Sequence, residues 1–386
     1  MTALVDRVKE LAVGFDDETL KSIEIDPLII EAGAIHKVSP YLKKKGYKRV
    51  IVAADAITYD IAGKTLEEEF AALGISAQVT LIKPDRQGDV IADEASIVQL
   101  LLDIQLRDAE VVIAAGSGTI HDISRYAAYT ARIPFVSVPT APSVDGFNSK
   151  GAPIIIRGEK KTIAAIGPDA IFADLDVLAA APARMVAAGF GDMLGKFTSL
   201  LDWSFGAAEG GEPYSEEVAE ITRIALNKCI EHVELIADRD PEGIRILIEA
   251  LIESGLAMLL FGQSHSASGS EHHLSHFWEM EYIRLGKRQL LHGAKVGVAC
   301  AEISKLYHRL ADEAEGLAFA ANPEKVRETI ASLPSEKQIR EWLRQVGGPS
   351  TTEQLGVDAE LLMRSLQEAH HVRPNRFTLL RAHMNR

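Results

Sequence analysis

Short runs of β-branched and small apolar residues alternate with stretches of helical periodicity through the first half of the chain. The runs are residues 49–54, 77–82, 110–115 and 134–138, while residues 61–73 and 94–106 repeat their apolar positions every three or four residues. That alternation predicts βαβ units and a parallel sheet. The runs are apolar without a polar alternation, so both faces of the sheet are expected to be covered. The pattern then changes: residues 153–156, a turn at Gly158-Glu159-Lys160 and residues 162–166 predict a hairpin, and residues 170–174 a further strand. From Pro182 onward the β-branched runs vanish. Amphipathic stretches at 214–237, 241–261, 292–310, 323–332 and 335–346 predict an all-helical second half. The expectation is an α/β domain over residues 1–180 and a helical domain over 181–386, with a ligand cleft between them.

Composition narrows the function classes. The chain has 386 residues, 47% hydrophobic and 25% charged, which is ample for two cores and excludes a disordered chain. Acidic residues outnumber basic ones 55 to 41, and the resulting charge of −14 repels a phosphate backbone, so no nucleic-acid partner is expected. A small anion is still admissible, because a few local donors hold one phosphate inside an acidic protein. Cys229 and Cys300 form neither a CxxC pair nor a disulfide framework. The start, MTALVDRVKELA, carries Asp6 and no long apolar run, so no signal peptide is expected. The most apolar segment, 246–262, is interrupted by Glu249 and Glu253 and reads as a buried helix. These features predict a cytoplasmic protein with no membrane partner.

Candidate chemistry gathers at predicted strand ends. The run ending at Ala115 leads into Gly116-Ser117-Gly118-Thr119-Ile120-His121-Asp122 and a helical pattern. Glycines there admit close approach of a pyrophosphate, and the helix start offers free N–H groups to it. The loop departs from GxGxxG at His121, and a plain strand-to-helix turn explains it equally well. Asp55 ends the first predicted strand, either as a ribose acceptor or as a capping acid. Pro139-Thr140-Ala141-Pro142-Ser143 ends another, with hydroxyls and open backbone.

Five of the twelve histidines, His265, His272, His273, His276 and His292, fall within 28 residues where even spacing would put about one. His272 and His276 share one helix face. Their context is EHHLSH rather than HExxH, so the zinc-protease reading fails at its base. Gly293 after His292 allows close packing, and the glycines around Asp192 in GFGDMLGK let that carboxylate approach a neighbouring element. One carboxylate with two imidazoles makes an open, mixed O/N metal site; Asp192 as a helix N-cap is the competing reading.

Taken in order, GSGTIHD, PTAPSVDGF, APARM, Gly191-Asp192, GSEHHLSH and His292-Gly293 resemble the iron-containing alcohol dehydrogenase, glycerol dehydrogenase and dehydroquinate synthase superfamily. Within it the segments are most similar to the sn-glycerol-1-phosphate dehydrogenases of the bacterial, arabinose-operon-associated type. The resemblance implies a dehydroquinate synthase-like fold: a Rossmann-like parallel-sheet domain followed by a helical one. It implies reversible, metal-dependent reduction of dihydroxyacetone phosphate by NAD(H) or NADP(H), in a likeness that also suggests a homodimer. Asp55, the loop Gly118, Thr119, Ile120, His121 and Asp122 with Gly116, then Thr140, Ala141, Pro142, Ser143 and Ser149, match nucleotide contacts. Asp192, His272 and His292 match ligands of one divalent metal, nickel in the bacterial type and zinc in archaeal homologues. Asp145 and His276 match positions facing a small phosphate-bearing substrate, and His273 matches none. Lys150, Lys196 and Arg376 are candidates for the phosphate, each equally readable as a solvated charge. The alternatives are a glycerol dehydrogenase, a dehydroquinate synthase, in which a glutamate stands at the Asp192 place, and a nucleotide-binding regulator without catalysis.

Overall fold

The computed structural model describes residues 3–385, so the first two residues of the N-terminal segment and Arg386 lie outside it. Six parallel strands form one sheet in the order β1-β8-β5-β4-β2-β3: β1 (Leu28–Glu31), β2 (Arg49–Ala54), β3 (Ser76–Leu81), β4 (Val111–Gly116), β5 (Phe135–Pro139) and β8 (Ala170–Asp174). The apolar runs predict this, since β2, β4, β5 and β8 are buried almost throughout and separate cores cover the two faces. β1 precedes the strand read as the first, so Asp55 follows the second strand of the sheet. The chain steps outward from β2 to β3 and then returns across β2 to β4. Its direction thus reverses between β2 and β4, and a crevice opens beyond their C-terminal ends.

The hairpin pairs β6 (Gly151–Ile156) with β7 (Glu159–Ala164). Its turn is Arg157-Gly158, both at positive φ of 53° and 80°, one residue earlier than the sequence pattern suggests, because a two-residue turn with left-handed dihedrals matches strand twist. Helix Glu94–Leu106 starts where Asp93 caps it, and Pro241–Phe261 starts at its own proline after Asp240. The stretch 214–237 is two helices, Glu216–Glu231 and Val233–Ala237, broken at His232.

The third core belongs to the helical half. Helix Ala3–Leu11 packs there, against Glu216–Glu231 and Pro241–Phe261, and contributes Leu4, Val5 and Val8. Among the described residues no helix is long and apolar enough to cross a membrane.

Candidate active-site cleft

Glycine contacts bring the site together. Asp192 sits inside the helix Ala183–Leu194, two residues from its end, and is not an N-cap. That helix crosses His292–Asp312 at a distance only glycine permits. A Cβ at Gly293 would stand 1.8 Å from the Ala188 carbonyl oxygen, and one at Gly191 would stand 2.4 Å from that of Gly293. On its other side the Asp192 helix lies against the 140–143 loop, where a Cβ at Gly189 would meet the Pro142 carbonyl at 1.9 Å. Backbone contact on both sides therefore seats Asp192 between the sheet loops and His292.

His272 and His276 lie one turn apart on helix Ser270–Arg284, and their rings stand 5.1 and 6.1 Å from that of His292. Asp192, His272 and His292 each offer one ligand atom, all within 4.8 Å of one another. His276 is a neighbour of this group and not a member of it. The His272 Nδ1 faces Glu271 Oε1 at 2.7 Å. A carboxylate only accepts, so the proton belongs on Nδ1 and the Nε2 lone pair faces Asp192 Oδ1, 3.8 Å away. Glu271 is itself held by the Thr198 hydroxyl and the Gly269 amide, both at 2.6 Å. Sequence reasoning overlooked Glu271, though its place beside His272 was the available signal.

Burial, with smaller contributions from nearby cations, drives His272, His276 and His292 well below the ordinary imidazole range, so all three are neutral with lone pairs available. Burial and the charge of Asp145 push the Asp192 carboxyl upward. His292 Nδ1 is buried without a hydrogen-bond partner. Neutral imidazoles, an orphaned ring nitrogen and a carboxylate whose charge burial disfavours are the donor set that a divalent cation would complete.

Behind the group, Lys196 Nζ meets Asp145 Oδ2 at 2.7 Å, Asp192 Oδ1 at 3.3 Å and the Ala267 carbonyl at 3.3 Å. An ammonium has three hydrogens, and these three acceptors use them, so Lys196 has none left for a phosphate. Asp145 closes the network: its amide donates to Asp192 Oδ2 at 3.0 Å and its carboxylate accepts from Ser254 at 2.9 Å.

The cleft in front has a volume of about 1020 Å³. Gly118, Thr119, Asp122, Ser143, Asp145, Ser149, Lys150, His272, His276, His292 and Arg376 line it, whereas Asp55, Gly116, Ile120, His121, Thr140, Ala141 and Pro142 do not. Helix Gly118–Ala131 presents its first turn there, with no side chain capping it. His121 points inward, bonded to Ser137 Oγ at 2.7 Å and to the Ser117 carbonyl at 3.0 Å, and braces the loop from below. Asp55 Oδ1 accepts from the amides of Ile57 and Thr58, a capping box at the start of the next short helix. Gly116 and Gly118 also serve the loop's own packing, since Cβ atoms there would meet Ile120 at 2.6 Å and Val144 at 2.9 Å.

A family model described as iron-containing alcohol dehydrogenase matches residues 29–182. The chain is 49% identical to the glycerol-1-phosphate dehydrogenase (NAD(P)+) of Geobacillus stearothermophilus, over 93% of this chain and 92% of the relative. It is 46% identical to the same enzyme of Geobacillus thermodenitrificans, over 98% and 97%. Among solved structures, a probable glycerol dehydrogenase from Sinorhizobium meliloti superposes with a TM-score of 0.70 at 19% identity, over 93% of this chain and 94% of that one, a likeness of fold.

Proposed function

This chain belongs to the glycerol-1-phosphate dehydrogenase family, and we propose that it reduces dihydroxyacetone phosphate reversibly to sn-glycerol 1-phosphate with NAD(P)H in the cleft described above. The observation that carries the reading is the group Asp192, His272 and His292, with ligand atoms within 4.8 Å of one another beside a cleft that the glycine loop also enters. A divalent cation in that group supplies a Lewis acid for the substrate oxygen, and NAD(P)H supplies the hydride.

The chain's own residues do the rest. The uncapped first turn at Gly118 and Thr119, with Ser143 and Ser149, receives the pyrophosphate side of the nucleotide. Glu271 fixes the ring of His272, and Lys196 holds Asp192 and Asp145 in place while neutralising part of their charge. Asp145 orients a substrate hydroxyl, and His276, neutral and one turn from His272, binds the substrate or relays a proton to its oxygen. Nucleotide binding belongs to residues 1–180 and metal and substrate binding to 181–386, with Asp145 reaching the substrate from the first unit and helix Ala3–Leu11 serving the second unit's core. The mixed O/N donor set suits nickel or zinc. A cytoplasmic homodimer completes the reading.

The test follows NADH absorbance in metal-free protein reloaded with nickel or zinc. Oxidation of NADH with dihydroxyacetone phosphate, abolished by a chelator, is the expected result. Turnover of glycerol or of a dehydroquinate-pathway substrate in its place would replace the reading with one of the sister activities.

A further inference from the structure

Two basic clusters border the cleft, and they differ in how completely their charge is matched. Lys160 on β7 and Lys295 on the His292 helix both close on Glu279, at 2.8 and 2.7 Å. Although burial opposes it, the two ammoniums hold the Glu279 carboxyl below its ordinary range. That cluster ties the hairpin to the helices.

Arg376 is 2% exposed and less well matched. Its Nη1 donates to the Ser268 carbonyl at 2.7 Å, and its Nε faces Glu212 Oε1 at 3.4 Å without a hydrogen bond. Its Nη2 is buried with no partner at all. Arg373 lies in the same wall and donates from Nη1 to the hydroxyls of Ser264, at 3.2 Å, and Ser268, at 2.9 Å. Arg376 thus has Glu212 as its nearby carboxylate, while Arg373 feels the opposing charge of Arg376 and the attraction of Glu271, and a buried cation without its full complement is costly. Ser264, Ser268, Arg373 and Arg376 all line the cleft that also contains His272 and His276. The charge of Arg373 reaches both histidines, whereas the cation beside Asp122 in the glycine loop, apart from Arg125, is Lys160.

We propose that Arg373 and Arg376, with the Ser264 and Ser268 hydroxyls, form the pocket for the phosphate monoester of the substrate on the helical side of the cleft. The assignment rests on the dihydroxyacetone phosphate reading given above. Two planar forks and two hydroxyls supply the several converging donors that a tetrahedral dianion accepts, which a single ammonium does not. The same pocket sets specificity: an unphosphorylated ketone leaves the arginine charge unmatched, so the phosphate is required to satisfy the site and not only to bind more tightly.

Metal-loaded enzyme saturated with NAD+, so that the glycine loop is occupied, is titrated with inorganic phosphate by calorimetry as wild type, Arg373→Gln, Arg376→Met and Arg376→Lys. The same proteins are assayed with dihydroxyacetone phosphate and with dihydroxyacetone. Phosphate affinity should fall about 10- to 100-fold in Arg373→Gln and Arg376→Met and less in Arg376→Lys, the loss expected for a charge-assisted hydrogen bond. The preference in kcat/KM for the phosphorylated ketone should fall by a similar factor, mostly through KM. Arg376 also holds the Ser268 carbonyl, so a purely structural role would depress both ketones equally; an unchanged preference together with unchanged phosphate affinity overturns the proposal. Arginine-dependent phosphate binding in a wild-type enzyme that does not reduce dihydroxyacetone phosphate would support the anion pocket and sink the activity instead.

Discussion

Replacing Gly293 with alanine tests whether helix contact is what assembles the donor group. The new methyl carbon would lie 1.8 Å from the Ala188 oxygen, where ordinary contact begins at 3.4 Å, so the two helices must part by about 1.6 Å. Overpacking of this kind costs about 1–3 kcal/mol, against which the better helix propensity of alanine returns about 1 kcal/mol. Stability should therefore fall only modestly. The donor group suffers more, because His292 is the neighbouring residue and metal–ligand distances tolerate about 0.2 Å. We expect at least about 100-fold weaker metal binding, at the upper end of what displaced supporting contacts produce. Metal content per folded chain after desalting, with the urea midpoint measured in parallel, reads both effects. Gly243→Ala is the control: its Cβ would stand 2.3 Å from the Leu235 carbonyl, outside the cleft lining, so it should lose stability and keep its metal. A Gly293→Ala protein that retains one metal per chain and full activity would refute the argument.

His276→Ala should keep metal and NADH but lose about 10²- to 10⁴-fold in turnover, as removal of a proton-transfer group does; loss of the metal would make His276 a ligand. His272→Ala should purify without metal, and full retention by metal analysis would remove it from the donor group. Gly118→Val should weaken NADH binding by at least about 10-fold in a fluorescence titration, because its Cβ starts 2.9 Å from Val144 and a branched side chain displaces the 143–146 loop. Burial lowers the pKa of His121 from 6.5 to about 3, so between those values the unfolded chain binds a proton that the folded one refuses. Stability should therefore fall as pH drops from 6.5 toward 3, and His121→Gln should flatten that slope in urea melts taken across the range; an unaltered slope would count against a buried neutral imidazole.

What the chain determined by itself was local. Apolar runs without polar alternation specify strands covered on both faces, and β2, β4 and β5 fall where residues 49–54, 110–115 and 134–138 predict them. Helices Glu94–Leu106 and Pro241–Phe261 were legible to the residue because their boundaries are set by adjacent caps, Asp93 and Asp240 with Pro241. β1 was not, since four residues carry too little periodicity and its pairing partner, β8, lies some 140 residues away. The clustering of histidines pointed to a site, and the glycines beside Asp192 and His292 announced a close approach without naming the partner. The crossing of those two helices supplied it, through contacts between residues about 100 apart. Tertiary structure likewise decided the fate of each charge. Lys196 and Arg376 look alike as isolated basic residues, yet one is saturated by Asp145, Asp192 and Ala267 while the other keeps a buried nitrogen without a partner. Hydrogen-bond saturation depends on which acceptors the packing brings within about 3 Å, and the packing in this site is decided by residues far apart in the chain.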